Sequence, residues 1–333
     1  MILAGAPLRI SFMGGGTDLP DFYREHTGKV ISATIDKYVH VAVNRTPLVP
    51  KVSARYSLSE TVNHPSELQH TRIRSLLLDL GIHNNIEIAS FAHLPAKTGL
   101  GSSSSFSVAL AVGLHAFQNK KLNQKEAAEV ACRLEIELLQ EPIGKQDQYA
   151  AACGGFNVFH FNTDDSVTVE PIHLDFRKRL KLEDHLLVFF TGITRDASSV
   201  LAEQKKNIKK KQKVLQQMVE MVDLFKAALL KGNVELMGHM LHEAWLLKKT
   251  LASNVSNSII DQLYKNGISA GAWGGKVLGA GGGGCVMFMV PPQKKDALRE
   301  KILKIAHEKR LKEFCEIPIQ FVQSGAKIIL NSD

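Results

Sequence analysis

A segment rich in glycine and serine, Pro95–Ser105, holds the residue types of this chain that are best suited to phosphate chemistry. Glycine lets a backbone curl so that several N–H groups point at one spot. The apolar run at 103–117 has the character of a helix, whose first turn adds unpaired N–H donors and the positive end of its dipole. We therefore predict a phosphate-binding loop, although its spacing is neither G-x-x-x-x-G-K-[ST] nor G-x-G-x-x-G. A flexible Gly/Ser linker is the alternative, but the loop joins two well-patterned elements rather than two domains.

Two other segments combine glycine with charged residues. Ala6–Asp18 reads APLRISFMGGGTD, and Gly274–Gly284 reads GGKVLGAGGGG. A core strand has no need of so many glycines, whereas a backbone that approaches a bound ligand does. The second segment is therefore a candidate wall of a binding site.

Hydrophobic patterning predicts the elements that must position these segments. Strands are predicted at 2–12, around residues 39–43 and at 285–290, and a helix at 103–117. Asn123, with Glu126 three residues later, resembles a capping box that opens a further helix. Helical patterning fills the stretch from about 197 to 266. This mixed order of strands and long helices indicates an α+β fold rather than a regular βαβ series.

Length and charge set the outer bounds. The 333 residues suggest about two domains, and the net charge of +8 suits an anionic partner. Lysines cluster at 205–213, which is a candidate nucleic-acid patch. No aromatic residues interleave there to stack bases, so the solvated face of a long helix is the favoured interpretation. The four cysteines form no C-x-x-C pair, which argues against structural zinc and a disulfide framework.

The sequence shows no sign of a membrane protein. No apolar run reaches the about 20 residues that span a bilayer. The N-terminal stretch MILAGAPLRISFMGG lacks the pattern of a signal peptide. We therefore expect a cytoplasmic protein with no membrane or nucleic-acid partner. The oligomeric state stays open, with a homodimer among the alternatives.

In their order and spacing, the three segments resemble the three motifs of the GHMP kinases, and Gly144–Ala151 (GKQDQYAA) adds to the likeness. The resemblance covers effectively the whole chain. It implies an ATP-dependent kinase with a two-domain α+β fold. The N-terminal domain, 1–180, would be related to a ribosomal-protein domain, and the C-terminal domain, 181–333, would be ferredoxin-like. ATP and the acceptor would lie in the cleft between them.

The resemblance also implies which residues bind the nucleotide. The phosphate-binding loop would wrap the ATP phosphates through Lys97, Gly99, Leu100, Gly101, Ser102, Ser103 and Ser104. Ser103 would help to hold Mg²⁺, and an upstream carboxylate would complete the metal site. Counting back along the family pattern gives Glu135, with Glu137 as the competitor. On a helix these two residues point about 200° apart, so only one can face the site.

For catalysis, the family's acidic residue matches Asp147. A carboxylate is suited to taking or orienting the proton of an attacking hydroxyl. Arg9 would stabilise charge on the transferring phosphoryl group or lower the pKa of Asp147, and it can also hold Asp147 in place by a salt bridge. Lys145 would be a further cation near the phosphates.

The acceptor would lie against residues of the first and last motifs. The implied contacts are Gly15, Gly16, Thr17 and Asp18 in the first motif, and Lys276, Gly281 and Gly282 in the glycine-rich segment. Galactokinases have Glu and His where this chain has Gly15 and Gly16, which argues against galactose and leaves room for a larger sugar. Arg195 is a candidate for a distal phosphate, because guanidinium binds phosphate at two points. An ion pair at a helix start is an equally favoured interpretation of Arg195.

Within the family, the run GGGTD, the stretch Gly144–Ala151 and the segment Gly192–Arg195 look most like the kinases of D-glycero-D-manno-heptose 7-phosphate. The resemblance implies an ATP- and Mg²⁺-dependent sugar-1-kinase that makes the 1,7-bisphosphate for nucleotide-activated heptose synthesis. A fucokinase-like enzyme acting on a free sugar is the first alternative. A non-catalytic sensor that binds ATP and sugar is the second alternative, disfavoured because the loop serines and Asp147 are all present.

Overall fold

The computed structural model describes residues 1–194 and 197–332, and the strands of this part form two sheets. The strands are β1 (Ile2–Met13), β2 (Gly28–Arg45), β3 (Val52–Arg55), β4 (Ser59–Val62), β5 (Ile86–Ala92), β6 (Phe156–Phe161), β7 (Val167–Ile172), β8 (Leu186–Phe190), β9 (Gly274–Val277), β10 (Cys285–Met289), β11 (Cys315–Glu316) and β12 (Lys327–Asn331). The first sheet has the order β12-β1-β2-β5-β3-β4, with β6 beside β2 and β7 beside β6. The second sheet has the order β11-β8-β10-β9.

The helices alternate irregularly with these strands. They are α1 (Pro20–Tyr23), α2 (Thr71–Asp79), α3 (Ser102–Phe117), α4 (Gln124–Cys132), α5 (Gln146–Cys153), α6 (Phe176–Asp184), α7 (Ala197–Lys231), α8 (Val234–Lys249), α9 (Ser258–Ser269) and α10 (Lys295–Glu308). A π-helical segment, Arg133–Leu138, continues α4, and short 3₁₀ turns lie at Pro65–Glu67 and Pro292–Lys294. The predicted capping box opens α4 and is confirmed, with Asn123 and Glu126 exchanging side-chain to backbone hydrogen bonds.

The long strand β2 organises the first sheet. It pairs with β1 along most of its length, while residues 28–33 pair with β6 and residues 39–45 pair with β5. Its alternating residues Val41 and Val43 are fully buried, as a strand covered on one face requires. Helix α3 packs across β1 and β2 and contributes Val108, Leu110 and Leu114 to the same core. The phosphate-binding loop therefore enters a helix that is anchored on the sheet.

The two sheets share a core, which places their loops beside one another. Leu8, Ile10 and Phe12 of β1 belong to one buried cluster with Val188 of β8 and Met287 of β10. On the other side of the second sheet, a separate cluster packs its strands against α9 and α10. The predicted α+β class is confirmed.

The predicted boundary at 180/181 stays a prediction. The last strand, β12, pairs antiparallel with β1, so the end of the predicted C-terminal domain lies in the first sheet. Within the described residues, none of the helices is long and apolar enough to cross a membrane. The four cysteines are unpaired, as the sequence predicts.

Candidate active site

A cavity of about 610 Å³ lies where the three predicted segments meet. It is lined by most of the residues that the sequence singles out, namely Arg9, Gly15, Gly16, Asp18, Lys97, Gly99, Gly101, Ser102, Ser103, Ser104, Asp147 and Gly281. These residues come from β1 and the turn after it, from the loop before α3 and the first turn of α3, from the start of α5 and from the turn between β9 and β10. The fold thus brings residues that are far apart in sequence to one surface.

The phosphate-binding loop has the backbone that its glycines predict. Gly99 and Gly101 have φ angles of +80° and +78°, a region that L side chains rarely adopt. Gly101 is the N-cap of α3, so the N–H groups of Ser102, Ser103 and Ser104 belong to the first turn and have no acceptors within the helix. These donors, together with the helix dipole, form an anion-binding surface on the cavity.

Leu100 differs from the other predicted loop residues because its side chain is fully buried in the core and does not line the cavity. Its carbonyl oxygen accepts a 3.0 Å hydrogen bond from the N–H of Arg9. Leu100 therefore anchors the loop to β1.

Arg9 and Asp147 form a two-point ion pair in this cavity. Nε of Arg9 donates to Oδ1 of Asp147 and Nη2 donates to Oδ2, both at 2.7 Å. The remaining Nη1 donates to the carbonyl oxygen of Gly99 at 2.8 Å. A bidentate guanidinium holds a carboxylate in one orientation. Arg9 thus fixes Asp147 with respect to the phosphate-binding loop.

Asp18 lies close to this pair and is buried. Its carboxylate accepts hydrogen bonds from the N–H groups of Gly16, at 3.2 Å, and Gln146, at 3.3 Å. Burial and the nearby charge of Asp147 raise the pKa of Asp18 above its ordinary value. A Cβ on Gly144 would lie 2.0 Å from Oδ2 of Asp18, so glycine is required at residue 144 for this approach.

Glu135, which was predicted to complete the metal site, lies in the core beside α3. It is fully buried and does not line the cavity. Its oxygens accept hydrogen bonds from Ser104 and Ser107, each at 2.8 Å, from Arg72 at 3.3 Å and from Gln148. These donors occupy the carboxylate, and its contact in the loop is Ser104 rather than Ser103. Glu135 therefore supports the start of α3 in this structure, and its role as a ligand of Mg²⁺ stays a prediction.

The other two residues considered for the metal site, Glu137 and Ser103, are both exposed. Glu137, the competing residue, is exposed and lies 3.9 Å from Arg133. Ser103 is exposed at the cavity, where its hydroxyl is accessible to a ligand. Among the described residues there is no group of three or more histidine, cysteine or acidic side chains that could hold a metal ion.

Besides Leu100 and Glu135, four predicted residues lie outside the lining of the cavity, namely Lys145, Thr17, Lys276 and Gly282. Nζ of Lys145 donates to the carbonyl oxygen of Asp165 at 2.8 Å. The hydroxyl of Thr17 donates to the carbonyls of Gly14 and Lys29, where it closes a turn.

The other two lie in the glycine-rich segment. Nζ of Lys276 donates to the carbonyls of Ser11 and Phe12, at 2.9 and 3.0 Å, and fastens β9 to β1. Burial and the charges of Lys248 and Arg9 lower the pKa of Lys276 well below its ordinary value. The N–H of Gly282 donates to the carbonyl of Val255 at 2.7 Å. The predicted distal-phosphate residue, Arg195, lies outside the described residues.

The glycine-rich segment meets the phosphate-binding loop backbone to backbone. A Cβ on Gly99 would lie 2.4 Å from the carbonyl oxygen of Leu278, and one on Gly279 would lie 2.8 Å from Cα of Gly99. The N–H of Cys285 also donates to the carbonyl of Thr98 at 2.8 Å. Gly279, Ala280 and Gly281 line the cavity, and the same segment braces the phosphate-binding loop.

Several residues that line the cavity were not predicted from the sequence, among them Ser11, Arg72 and Lys248. Arg72 pairs with Glu141 at 2.7 Å as well as with Glu135. Lys248 lies near the end of α8, where a lysine is normally a solvent-exposed partner of the helix dipole. Here it is 5% exposed, and burial and the charge of Arg9 lower its pKa to about 8. No local sequence signal distinguishes Lys248 from its neighbour Lys249.

Comparison with known proteins gives this geometry a context. The model of the GHMP kinases N terminal domain matches residues 69–155, and the model of the GHMP kinases C terminal domain matches residues 225–308. The chain belongs to the GHMP kinase family. The first match covers the phosphate-binding loop and Asp147, and the two matches fall on opposite sides of the predicted domain boundary. Membership confirms the predicted family, fold and enzyme class, an ATP-dependent carbohydrate kinase.

Similar proteins include several sugar kinases. The chain is 29% identical to D-glycero-alpha-D-manno-heptose 7-phosphate kinase of Campylobacter jejuni, over 90% of this chain and 92% of that protein. It is 26% identical to a bifunctional fucokinase/GDP-fucose pyrophosphorylase of Arabidopsis thaliana, over 94% of this chain and 31% of that protein. The fold also matches the crystal structure of a D-glycero-D-manno-heptose 1-phosphate kinase from Bacteroides thetaiotaomicron. The match covers 100% of each chain, with a TM-score of 0.81 and 24% identity.

Proposed function

We propose that this GHMP kinase transfers the γ-phosphoryl group of ATP to the anomeric hydroxyl of D-glycero-D-manno-heptose 7-phosphate. The product would be the 1,7-bisphosphate. The observation that carries the kinase chemistry is the bidentate pair of Arg9 and Asp147 beside the phosphate-binding loop. Similarity to the Campylobacter jejuni heptose 7-phosphate kinase over most of both chains supports the choice of acceptor.

In the proposed reaction, Asp147 acts on the acceptor hydroxyl. The hydroxyl oxygen forms a bond to the γ-phosphorus, the bond from that phosphorus to the β,γ-bridging oxygen breaks, and ADP leaves. The carboxylate of Asp147 orients the hydroxyl and takes its proton. Arg9 keeps the carboxylate in place and puts a positive charge next to the reacting group. Positioning of this kind supplies most of the rate in phosphoryl transfer.

The phosphate-binding loop suits the triphosphate of ATP. The first-turn N–H groups of α3 and the positive-φ backbone at Gly99 and Gly101 form a cradle that a side chain at either glycine would disturb. Lys97 lies on the same surface. Mg²⁺ is the usual companion of ATP in phosphoryl transfer, and Ser103 is the predicted metal ligand whose hydroxyl faces the cavity. The buried carboxylate of Glu135 supports the loop from beneath through Ser104.

The acceptor would lie beside Asp18, where Gly15 and Gly16 line the cavity. The absence of side chains at these two glycines leaves space for a sugar larger than a hexose. Arg195 remains our candidate for the distal phosphate. Gly281 would contribute the opposite wall of the acceptor site.

A free sugar is the alternative acceptor. Two fucokinase-containing relatives, from Arabidopsis thaliana and Bacteroides fragilis, are 26% and 25% identical to this chain over nearly all of its length. This alternative keeps Asp147 as the base and needs no distal-phosphate site. A sensor without turnover is disfavoured because the base and the loop serines are assembled on one cavity.

The test is ADP release with Mg·ATP and D-glycero-D-manno-heptose 7-phosphate, with mannose, fucose, galactose and mannose 6-phosphate in parallel. We expect turnover with the heptose phosphate, and a loss of kcat of about 10²–10⁴-fold in Asp147→Asn. Turnover with a free sugar alone would refute the heptose phosphate as acceptor and support the alternative. ATP binding without turnover of any sugar would refute the kinase and support the sensor.

A further inference from the structure

Lys248 is a buried cation whose donors the protein leaves largely unused. Its ammonium group is contributed by α8 and donates to the carbonyl of Gly279. Within the described part of the chain that carbonyl is its one hydrogen-bond acceptor, and Lys248 forms no ion pair there. An ammonium has three N–H donors, and a buried charge without sufficient partners is costly. Lys276, which is equally buried, differs because two carbonyls satisfy it outside the cavity.

Ser11 presents the complementary feature on β1. Its hydroxyl is buried, lines the cavity and has no hydrogen-bond partner. Buried hydroxyls nearly always find a partner, so an unpartnered one at a cavity indicates that a ligand supplies it.

Gly15 joins these two groups into one site. A Cβ placed on Gly15 would lie 3.8 Å from Nζ of Lys248 and 4.0 Å from Oγ of Ser11. The space above Gly15 is therefore bordered by an ammonium with one acceptor for its three donors and by a hydroxyl without a partner. No clash with backbone or core atoms occurs at that position. One oxygen atom of a ligand fits these groups better than a methyl group does.

We propose that Lys248, Ser11 and Gly15 form an acceptor-binding subsite that holds a sugar oxygen next to the hydroxyl that is phosphorylated. The inference rests on the proposed sugar-kinase function. The subsite adjoins Asp18. Gly15 and Gly16 lie in the turn that leads to Asp18, and the N–H of Gly16 donates to the carboxylate of Asp18. Lys248 lines the same cavity as Asp18 and Asp147. An ammonium and a hydroxyl donor beside a carboxylate acceptor are suited to neighbouring sugar hydroxyls.

The variants Lys248→Met, Ser11→Ala and Gly15→Ala test the subsite by three different routes. Methionine keeps the length of the lysine stem without its charge, and alanine at residue 11 removes only the hydroxyl. Alanine at residue 15 removes nothing, but its methyl group fills the space where the oxygen would lie. Lys249→Met is the matched control, because Lys249 is the next residue on α8 and pairs with Asp261 at 3.0 Å, away from the cavity.

KM and kcat are measured for both substrates, using the sugar from the panel above that the wild-type enzyme phosphorylates fastest. We expect the acceptor KM to rise about 10–100-fold in Lys248→Met and about 2–10-fold in Ser11→Ala. Gly15→Ala should also raise the acceptor KM while its thermal unfolding midpoint stays at the wild-type value. The KM for ATP should not change in any of these variants, and Lys249→Met should match the wild type.

Several outcomes would overturn the inference. One is a loss of kcat at unchanged acceptor KM, which would assign Lys248 to the transferring phosphoryl group. Another is a rise in the ATP KM instead of the acceptor KM, and a third is an acceptor KM in Gly15→Ala equal to that of the wild type. An error in the proposed acceptor can be told apart from an error in the subsite. In the first case the wild-type enzyme would prefer another sugar of the panel, and the same variants would test the subsite with that sugar.

Discussion

Arg9 holds Asp147 at two points, although 138 positions separate them in the sequence. Both oxygens of the carboxylate accept a hydrogen bond of 2.7 Å from the guanidinium. The third nitrogen of the guanidinium donates to the carbonyl oxygen of Gly99 in the phosphate-binding loop. The predicted base and the predicted nucleotide cradle are therefore linked through one side chain. The two sequence-based interpretations of Arg9, a salt bridge and a cation at the phosphates, are compatible in this geometry.

Replacing Arg9 by lysine should separate orientation from charge. Lysine retains the positive charge but cannot donate to both oxygens of Asp147 and to Gly99 in one plane. We expect kcat in Arg9→Lys to fall about 10–100-fold, as the loss of a charge-assisted hydrogen bond implies. Arg133→Lys is the control, because Arg133 makes a similar fork to Asp79 on the surface. Wild-type kcat in Arg9→Lys would show that charge alone suffices.

The close contact between the glycine-rich segment and the phosphate-binding loop predicts a specific defect in Gly99→Ala. Its methyl group would lie 2.4 Å from the carbonyl of Leu278, in addition to the strain of a φ of +80°. Gly81→Ala is the control, because Gly81 has a φ of +66° and no atom within 4 Å of its Cβ position. We expect Gly81→Ala to cost only about 1–2 kcal/mol from the backbone strain.

In Gly99→Ala the loss of stability should exceed that of the control, and the KM for ATP should rise about tenfold, which corresponds to about 1.4 kcal/mol. Urea denaturation and steady-state kinetics measure the two effects. Equal stability losses in the two variants, with an unchanged ATP KM, would contradict the bracing role of the glycine-rich segment.

The environment of Glu135 predicts a structural role. Glutamine has the same shape, but its amide nitrogen cannot accept the hydrogen bonds that an oxygen of Glu135 receives, and Arg72 loses a charged partner. We expect Glu135→Gln to lower the free energy of unfolding by about 3 kcal/mol. The Mg²⁺ concentration for half-maximal rate should stay at the wild-type value, as it should in the exposed control Glu137→Gln. A large increase in that Mg²⁺ concentration, with an unchanged free energy of unfolding, would instead support Glu135 as a metal ligand.

The pH dependence of acceptor binding follows from Lys248. Its pKa is lowered to about 8, so the side chain is an ammonium below pH 8 and becomes neutral as the pH rises through that value. The charged groups that face it are Arg9, which with burial lowers this pKa, and Asp18 and Asp147, which raise it; Lys276 is the other nearby amine.

The kcat/KM for the acceptor should therefore fall above pH 8 in the wild type. Lys248→Arg stays charged at higher pH, so its alkaline limb should move upward. An identical alkaline limb in the two proteins would assign the titration to another group. The kcat/KM for ATP at saturating acceptor serves as the reference profile.

The parts of the site that depend on neighbouring residues in the chain could be predicted from the sequence. The spacing of Gly99 and Gly101 before an apolar helix determines a positive-φ turn and an exposed first turn, whatever surrounds them. The capping box at Asn123 and Glu126 is local in the same way. Arg9, Asp18 and Asp147 became candidates through family resemblance rather than through spacing, and they do share one cavity.

The sequence by itself determined the α+β class, the phosphate-binding loop and the family. Only the tertiary structure decided which charged side chains face the cavity. Lys145 and Lys276 have the expected residue type but donate to the carbonyls of Asp165 and of Ser11 and Phe12, outside the cavity lining. Lys248 donates to the carbonyl of Gly279 and lines the cavity. The physical reason is that a buried ammonium takes whichever oxygens the packed backbone places within reach. Those oxygens come from strands and turns that are distant in the chain and meet only when the two sheets share their core.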